Sequence, residues 1–263
     1  MRYYLDLYKD FVLQYFKTLM QSKSNFFIGF SGFLLIQMSG ILFLKIVFSQ
    51  IPSLNGWSFY QMLFIYGFSQ IPKGIDHFFT DYLWIFSSDV IIKGDFDRYL
   101  LRPINPLFHI LSERLQLDAL GEIFIGIAIV ILATLKLNIT ISIVGFILFI
   151  IAIIAATIIY TSIKLFFASL AFWMKDSFPL LNIAYMFSDF AKYPNNIYSY
   201  GIQIFLSFII PFSFTSFIPV SYFLNKGTLI YSILGTVVVA IITWCIAYRT
   251  WIMGISKYDS CGN

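Results

Sequence analysis

Several ionisable side chains follow one another inside a long apolar stretch of the sequence. Lys73, Asp76 and His77 come directly after Pro72, and Asp81 follows shortly. Asp and His often serve as general acids and bases, and an enzyme that modifies membrane lipids would gather such groups near one headgroup plane. Two other interpretations stay open. The charged groups pair with one another along one helix, or they line a cavity that a substrate contacts.

Motifs for soluble-type catalysis and cofactor binding are missing. No Gly is followed by Lys-Ser or Lys-Thr, as the phosphate-binding loop of a nucleotide hydrolase requires. The histidines, His77 and His109, have no metal-ligand companions at usable spacing. The cysteines, Cys245 and Cys261, do not suggest a disulfide framework. We therefore expect no catalytic residue, no metal site and no bound cofactor in this chain.

The composition indicates a membrane protein. The chain has 263 residues, of which 59% are hydrophobic and only 11% charged, and its mean hydropathy is +0.83. A soluble domain carries about 25% charged residues, so this chain has too few polar side chains to cover a globule. We predict an all-α polytopic membrane protein that forms a single domain, residues 1–263, in contact with membrane lipids.

The apolar runs predict six transmembrane helices after an amphipathic N-terminal helix. Residues 2–22 place Tyr4, Tyr8 and Phe11 on one helical face, opposite Asp6 and Asp10, which suits a helix lying at the membrane interface. A water-exposed extension of the first span is the alternative. The predicted spans are Phe26–Phe48, Trp57–Thr80, Leu117–Leu135, Ile141–Trp173, Ser199–Val220 and Thr228–Trp251.

The apolar run Phe178–Phe187 is too short to span a bilayer, which needs about 20 residues. Asp176 and Asp189 flank it, so we predict that residues 178–192 form an interfacial or re-entrant helix on the cytoplasmic side. Two further charges lie inside predicted spans, Glu122 and Lys164, and are candidate partners across the bundle.

Basic residues orient the predicted spans, because cytoplasmic loops of membrane proteins are rich in Lys and Arg. With the N-terminus inside, the outer loops hold only Lys136 and Lys226. Both termini are therefore predicted to be cytoplasmic. The basic residues then assigned to the inside are Arg2, Lys9, Lys17, Lys23, Lys93, Arg98, Arg102, Arg114, Lys175, Lys192, Arg249 and Lys257.

A polar segment, residues 94–107, interrupts the apolar sequence between the second and third spans. Gly94 permits a turn, Phe96–Leu101 suits a short helix, and Pro103 would end it. Asp97 and Arg98 would form the polar side of this helix. Its predicted apolar anchors are Leu100, Leu101 and Leu107. An ordinary polar loop needs no such combination, so the pattern favours a cytoplasmic element on which another protein docks.

This segment resembles the cytoplasmic signature of permease subunits of ABC-2 type (type-2 exporter) ABC transporters, especially a poorly characterised bacterial branch. The branch has the motif Gly-x-Phe/Leu-Asp-Arg-x-Leu-Leu-Arg-Pro-x-x-Pro-Leu. The matching residues are Gly94, Asp97, Arg98, Leu100, Leu101, Arg102, Pro103, Pro106 and Leu107.

Two weaker motifs support the resemblance. Phe190–Tyr198 is similar to Phe-Ala-Arg-x-Pro-x-x-Ile-Tyr, with Lys192 in place of the arginine. An Ile-Pro-Phe pattern followed by Phe-Ile-Pro occurs at Ile210–Phe212 and Phe217–Pro219. These matches extend the resemblance over the whole chain.

The resemblance implies a function and partners. Such a chain is the transmembrane subunit of a bacterial exporter in the cytoplasmic membrane, and ATP and Mg are bound by separate cytoplasmic ABC ATPase subunits. A coupling helix between spans 2 and 3 docks on them, and a second permease chain completes the pathway; nucleic acid is not a partner. Lys73, Asp76 and His77 are then candidate pathway residues, and Pro211 and Pro219 candidate gate residues. A lipid-modifying enzyme and a secondary transporter are the alternatives.

Overall fold

A computed structural model of the chain describes residues 7–9 and 23–259. Over these residues the fold is all-helical and contains no strand, which confirms the all-α part of the predicted fold class. The rest of the amphipathic segment predicted at 2–22 lies outside the described residues, as does Cys261. The α-helices in chain order are α1 (Lys23–Gln50), α2 (Phe59–Thr80), α3 (Tyr82–Ile85), α4 (Asp97–Leu100), α5 (Pro106–Ser112), α6 (Leu120–Lys136), α7 (Ile143–Ser169), α8 (Ala171–Met174), α9 (Phe178–Met186), α10 (Tyr200–Ile204), α11 (Phe217–Phe223) and α12 (Gly235–Lys257).

Shorter helical turns extend or connect several of these helices. They tighten or widen the backbone where a regular α-helix would not fit. The 3₁₀ turns are Leu117–Ala119, Phe187–Lys192, Asn195–Ile197 and Phe212–Thr215, and the π-helical turns are Phe86–Val90, Phe205–Ile209 and Ile230–Leu234.

Three helical stretches in the described part of the chain are long and apolar enough to cross a membrane. They are Leu117–Lys136, Ile143–Met174 and Ile230–Lys257, and they match the third, fourth and sixth predicted spans. Leu34–Gln50 and Tyr200–Ile209 are shorter apolar helices. These segments establish the chain as a membrane protein.

Helix α2 packs along α6, and α7 packs along α12. The first pair approaches closely at Gly67 and Gly126, where a Cβ on Gly126 would lie 2.8 Å from the backbone oxygen of Gly67. Small residues allow such backbone contact between membrane helices, where packing rather than water exclusion drives association. This contact holds α2, which carries all three predicted pathway residues, against its neighbour.

The predicted span Ser199–Val220 is not one continuous helix. It consists of α10, a π-helical turn, an interruption at Ile210 and Pro211, a 3₁₀ turn and then α11. Proline ends the helix there because it lacks an N–H group and its ring clashes with the preceding turn. Pro219 instead lies in the first turn of α11, where a missing N–H costs little.

Both ends of this interrupted segment lie beside the loop that joins α1 to α2. Asn196 accepts hydrogen bonds from Asn55 Nδ2 at 2.6 Å and from Trp57 Nε1 at 2.9 Å. Lys226, beyond α11, donates to the backbone oxygen of Gly56 at 2.7 Å. The chain between Asn196 and Lys226 therefore leaves this loop and returns to it.

Residues 178–192, predicted as an interfacial or re-entrant helix, extend along α2. The N–H of Ser177 donates to the oxygen of Ser87 at 2.9 Å, just beyond the C-terminal end of α2. Tyr185 and then Asp189 contact side chains of α2, and Asn196 meets Trp57 at its N-terminal end. Helix α9 is about 14 Å long, and its 3₁₀ extension adds a length of about 12 Å.

We predict that Gly126→Ala destabilises the protein. The added methyl group would collide with the backbone of α2, and overpacking of this kind costs about 1–3 kcal/mol. Thermal unfolding of the full chain in detergent micelles should give a lower midpoint than wild type.

Gly32→Ala in α1 is the matched control, because none of the described residues places an atom within 4 Å of the position that its new Cβ would take. Alanine is the better helix former, so this variant should unfold at the wild-type temperature or above. Equal midpoints for the two variants would contradict the close contact between α2 and α6.

Candidate functional site

A completely buried ion pair joins α2 to α7. Lys164 Nζ lies 2.7 Å from Asp76 Oδ2, and both side chains have no exposed surface. Asp76 also accepts hydrogen bonds from Thr80 and Thr161 at Oδ1 and from Tyr185 at Oδ2, at 2.7 to 2.9 Å. Lys164 donates a second bond to Thr80 Oγ1 at 3.1 Å. Three helices, α2, α7 and α9, thus contribute to one satisfied polar cluster.

A second cluster joins α2 to the 3₁₀ extension of α9. Lys73 Nζ donates to Ser188 Oγ at 3.0 Å and lies 3.4 Å from Asp189 Oδ1. Lys192 Nζ approaches the same carboxylate oxygen at 2.7 Å. One carboxylate therefore lies between two ammonium groups, and the cluster has a net positive charge.

A third contact connects α2 to α6. His77 Nδ1 lies 3.1 Å from Glu122 Oε2, and the Glu122 side chain is buried. The groups on α2 thus find partners on three different elements.

These contacts correct several predicted pairings. Lys73, Asp76 and His77 do not pair with one another, and Glu122 does not pair with Lys164, because each has a closer partner on another element. Lys192, predicted to lie on the cytoplasmic side, belongs to the cluster beside α2. Asp189 and Tyr185 were missed as site residues.

An apolar cavity of about 400 Å³ lies beside the second cluster, between α1, α2 and residues 187–198. Asp189 is the charged side chain in its lining, and 61% of that side chain is exposed. Of the predicted pathway residues, Lys73 is the one connected to this cavity, through Asp189. Asp76 is closed off by its four partners.

The predicted gate residues occupy different surroundings. Pro211 lines a small apolar cavity of about 290 Å³ together with residues of α7 and α12, among them Ser162 and Thr243. Pro219 is buried inside α11. Of these two prolines, only Pro211 therefore lies where the helix is interrupted.

The segment 94–107 forms a turn and two short helices, α4 and α5. Gly94 has φ +72°, which glycine adopts without steric cost. Asn105 caps α5, because its Oδ1 accepts hydrogen bonds from the N–H groups of Leu107 and Phe108 at 2.9 and 3.2 Å. Pro106 begins that helix, where its fixed φ is favourable.

One side of this segment is anchored in an aromatic cluster. Phe96 is completely buried, and its ring centroid lies 5.1 Å from that of Phe172 and 6.0 Å from that of Trp251. The predicted anchors Leu100 and Leu101 are instead 43% and 85% exposed. An exposed apolar pair on a well-anchored element is a surface suited to a partner protein.

The polar side chains of the segment brace it internally. Arg98 donates to the hydroxyl of Tyr99 at 2.7 Å and lies 3.3 Å from Glu113. Arg102 Nη1 lies 2.9 Å from His109 Nε2, and a guanidinium can only donate, so this nitrogen is the acceptor. Burial, with Arg102 and Arg98 nearby, lowers the pKa of His109 from 6.5 to about 4.

Comparison with known proteins decides the family. Residues 34–262 match the family model described as ABC-2 family transporter protein. The chain belongs to this ABC-2 transporter family. No curated protein and no solved structure gives a significant match. The ABC-2 match covers the buried clusters, the cavity and the segment 94–107, and it supports the role of a transporter permease, a membrane component that is generally non-catalytic in this family.

We predict that Lys164→Met strongly destabilises the protein, because Asp76 would remain charged without a cationic partner in an apolar interior. Breaking a buried pair costs about 3–5 kcal/mol. The double variant Asp76→Asn/Lys164→Met should recover most of this loss in a denaturation assay.

Lys93→Met is the control, since its ion pair with Asp89 is exposed and exposed pairs contribute little to stability. A Lys164→Met variant as stable as this control would refute the structural importance of the buried pair.

We also predict that stability falls as the pH drops from 6.5 towards 4. In this range the unfolded chain takes up a proton at His109 and the folded chain does not, so protonation favours unfolding by at most about 1.4 kcal/mol per pH unit. His109→Gln keeps an acceptor for Arg102 but does not titrate. Unfolding midpoints measured from pH 7.5 to pH 4.5 should decline less in this variant than in wild type. Parallel declines would contradict the assignment of the pH dependence to His109.

Proposed function

We propose that this chain is the transmembrane subunit of an ABC exporter and forms the translocation pathway across the bacterial cytoplasmic membrane. A separate ABC ATPase binds ATP and Mg and hydrolyses the nucleotide. The observation that carries the proposal is the segment 94–107, which is anchored on one side by Phe96 and presents Leu101 on the other.

The docking surface in this proposal comprises the motif residues of the segment. Leu100 and Leu101 supply exposed apolar contacts, and Arg102 and Pro103 are exposed beside them. Gly94, Asp97, Arg98 and Pro106 shape and brace the segment. Because Phe96 contacts Phe172 and Trp251, a displacement of this surface would reach α8 and α12.

The proposed topology has six crossings, with the fifth at residues 178–192 instead of 199–220. The contacts of Ser177 near one end of α2 and of Asn196 near the other support this assignment. Residues 199–224 then form a re-entrant segment on the outer side, since both of its ends adjoin the loop at 51–58. The count of crossings leaves both termini cytoplasmic.

The charge distribution supports this orientation. Lys136 and Lys226 are the basic residues of the proposed outer loops in the described part of the chain, whereas Lys93, Arg114 and Lys257 are among those of the cytoplasmic end. The positive-inside rule favours this arrangement.

The pathway is proposed to follow the cavity beside α1 and α2, bordered by the Lys73–Asp189–Lys192 cluster. A second permease chain, identical or different, would face this side and complete the pathway. Pro211 would act as a gate residue at the interruption of the re-entrant segment. A lipid-modifying enzyme is disfavoured because both carboxylate oxygens of Asp76 are engaged and buried.

The test is Leu101→Ser in the full chain, co-expressed with an ABC ATPase encoded beside it. Loss of an exposed apolar contact should weaken ATPase binding about tenfold and lower coupled ATP hydrolysis in nanodiscs. The fold should be unaffected, because Leu101 is 85% exposed.

Met174→Ser provides the control, since Met174 is 54% exposed and lies outside the segment 94–107. It should leave ATPase binding unchanged. Undiminished ATPase binding by Leu101→Ser, or an equal loss in both variants, would contradict docking through this segment.

A further inference from the structure

An apolar groove with a volume of about 640 Å³ lies between α6 and α7, with α2 at its base. These two helices follow one another in the chain, but in the part that the structure describes they scarcely contact each other, because both pack against α2. Ile131, Leu135 and Phe146 line the groove and are each more than half exposed. A molecule in the surrounding membrane can therefore reach its walls.

The chemistry of the lining indicates what fills the groove. Nine of its fourteen described residues are isoleucine, and none is Gly, Ala or Ser. The polar side chain among them, Thr134, donates its hydroxyl to the backbone oxygen of Val130 at 2.7 Å. Transmembrane helices associate through small residues that let their backbones approach, or through hydrogen bonds between helices. The groove offers neither, so its walls suit a flexible hydrocarbon chain better than another helix.

The length of the groove is close to the thickness of one leaflet of a bilayer. On α6 its lining residues run from Ile123 to Leu135, a rise of about 18 Å at 1.5 Å per residue. The hydrocarbon core of a bilayer is about 30 Å thick, so each leaflet contributes about 15 Å. An acyl chain that enters beside Leu135 would therefore extend along the whole groove.

A positive charge lies at the mouth of the groove. Lys136 is exposed and comes one residue after the lining of α6. None of the described acidic side chains forms an ion pair with it, and no Asp or Glu occurs between Glu122 and Asp176 in the sequence. Asn138 and Thr140, in the loop that follows, are exposed and carry hydrogen-bond donors. These groups suit an anionic phosphate.

We propose that this groove binds one anionic phospholipid, whose acyl chain lies between α6 and α7 and whose phosphate group contacts Lys136. Lipid tails are as apolar as the walls of the groove, so the acyl chain alone distinguishes little between the groove and the surrounding bilayer. The charge of Lys136 selects the headgroup. The site is independent of the proposed function, except that the proposed topology places Lys136, and with it the lipid, in the outer leaflet.

The experiment is photo-crosslinking on the full chain in phosphatidylcholine nanodiscs, without any ATPase. Two probes, a phosphatidylglycerol and a phosphatidylcholine, carry the same diazirine in the acyl chain, and peptide mass spectrometry maps the labelled residues. We expect phosphatidylglycerol to label residues 123–135 and 146–154 about fivefold more than phosphatidylcholine does, because one lysine near a membrane surface contributes about this preference for an anionic lipid. Residues 238–253 of α12 should be labelled equally by the two probes.

One pair of variants tests the contact with the headgroup. Lys136→Gln should abolish the preference, so that both probes label the groove equally. Lys226→Gln is the matched control, because Lys226 donates to the backbone oxygen of Gly56 and does not line the groove. This variant should keep the fivefold preference.

A second pair tests the position of the acyl chain. Ile150→Trp should lose most of the groove labelling by both probes, because the larger side chain occupies part of the groove. Ile150 lines the groove at an exposed position, so the fold should be unaffected. Ile242→Trp, at an exposed position on α12, is the matched control and should leave labelling of the groove as in wild type.

Three results would overturn the proposal. The first is equal labelling of the groove by both probes in the wild-type protein, and the second is a preference that survives in Lys136→Gln. The third is a groove that neither probe labels, because another protein chain would then cover it. Since no ATPase is present, failure of docking through Leu101 would leave this result unaffected.

Discussion

The buried ion pair between Asp76 and Lys164 is the constraint on which the rest of the structure depends. Inside a membrane no water is available to solvate a charge, so each charged group must find its partners within the protein. Asp76 collects partners from α2, α7 and α9, including Tyr185. Satisfying this one carboxylate therefore fixes the relative positions of three helices and draws α9 alongside α2.

The same requirement explains the position of residues 187–192. Asp189 and Lys192 would be expensive in an apolar environment, but Lys73 completes their cluster from α2. The cluster borders a cavity that is otherwise apolar. In the segment 94–107, in contrast, aromatic packing around Phe96 does the anchoring. The proposed docking surface and the proposed pathway thus depend on two different kinds of interaction, joined through α7, α8 and α12.

Sequence reasoning succeeded where local chemistry decides the structure. The turn at Gly94 and the short helix that follows were both predicted, since glycine and proline constrain the backbone directly. For residues 178–192 the sequence predicts an interfacial or re-entrant helix, because an apolar run of about ten residues is too short to span a bilayer by itself; the contacts of this segment with α2 come from the tertiary structure alone. The polar residues that follow this run are accommodated only through α2.

The sequence by itself determined the membrane class, the all-helical fold and the family, because apolar composition and local motifs carry that information. It also determined that residues 94–107 form a distinct element. Only the tertiary structure decided which charges pair, which leucines of that element remain exposed, and that residues 199–224 return to the loop they left. Each of these depends on contacts between residues far apart in the chain, and the periodicity of a single helix does not show which other helices it will contact.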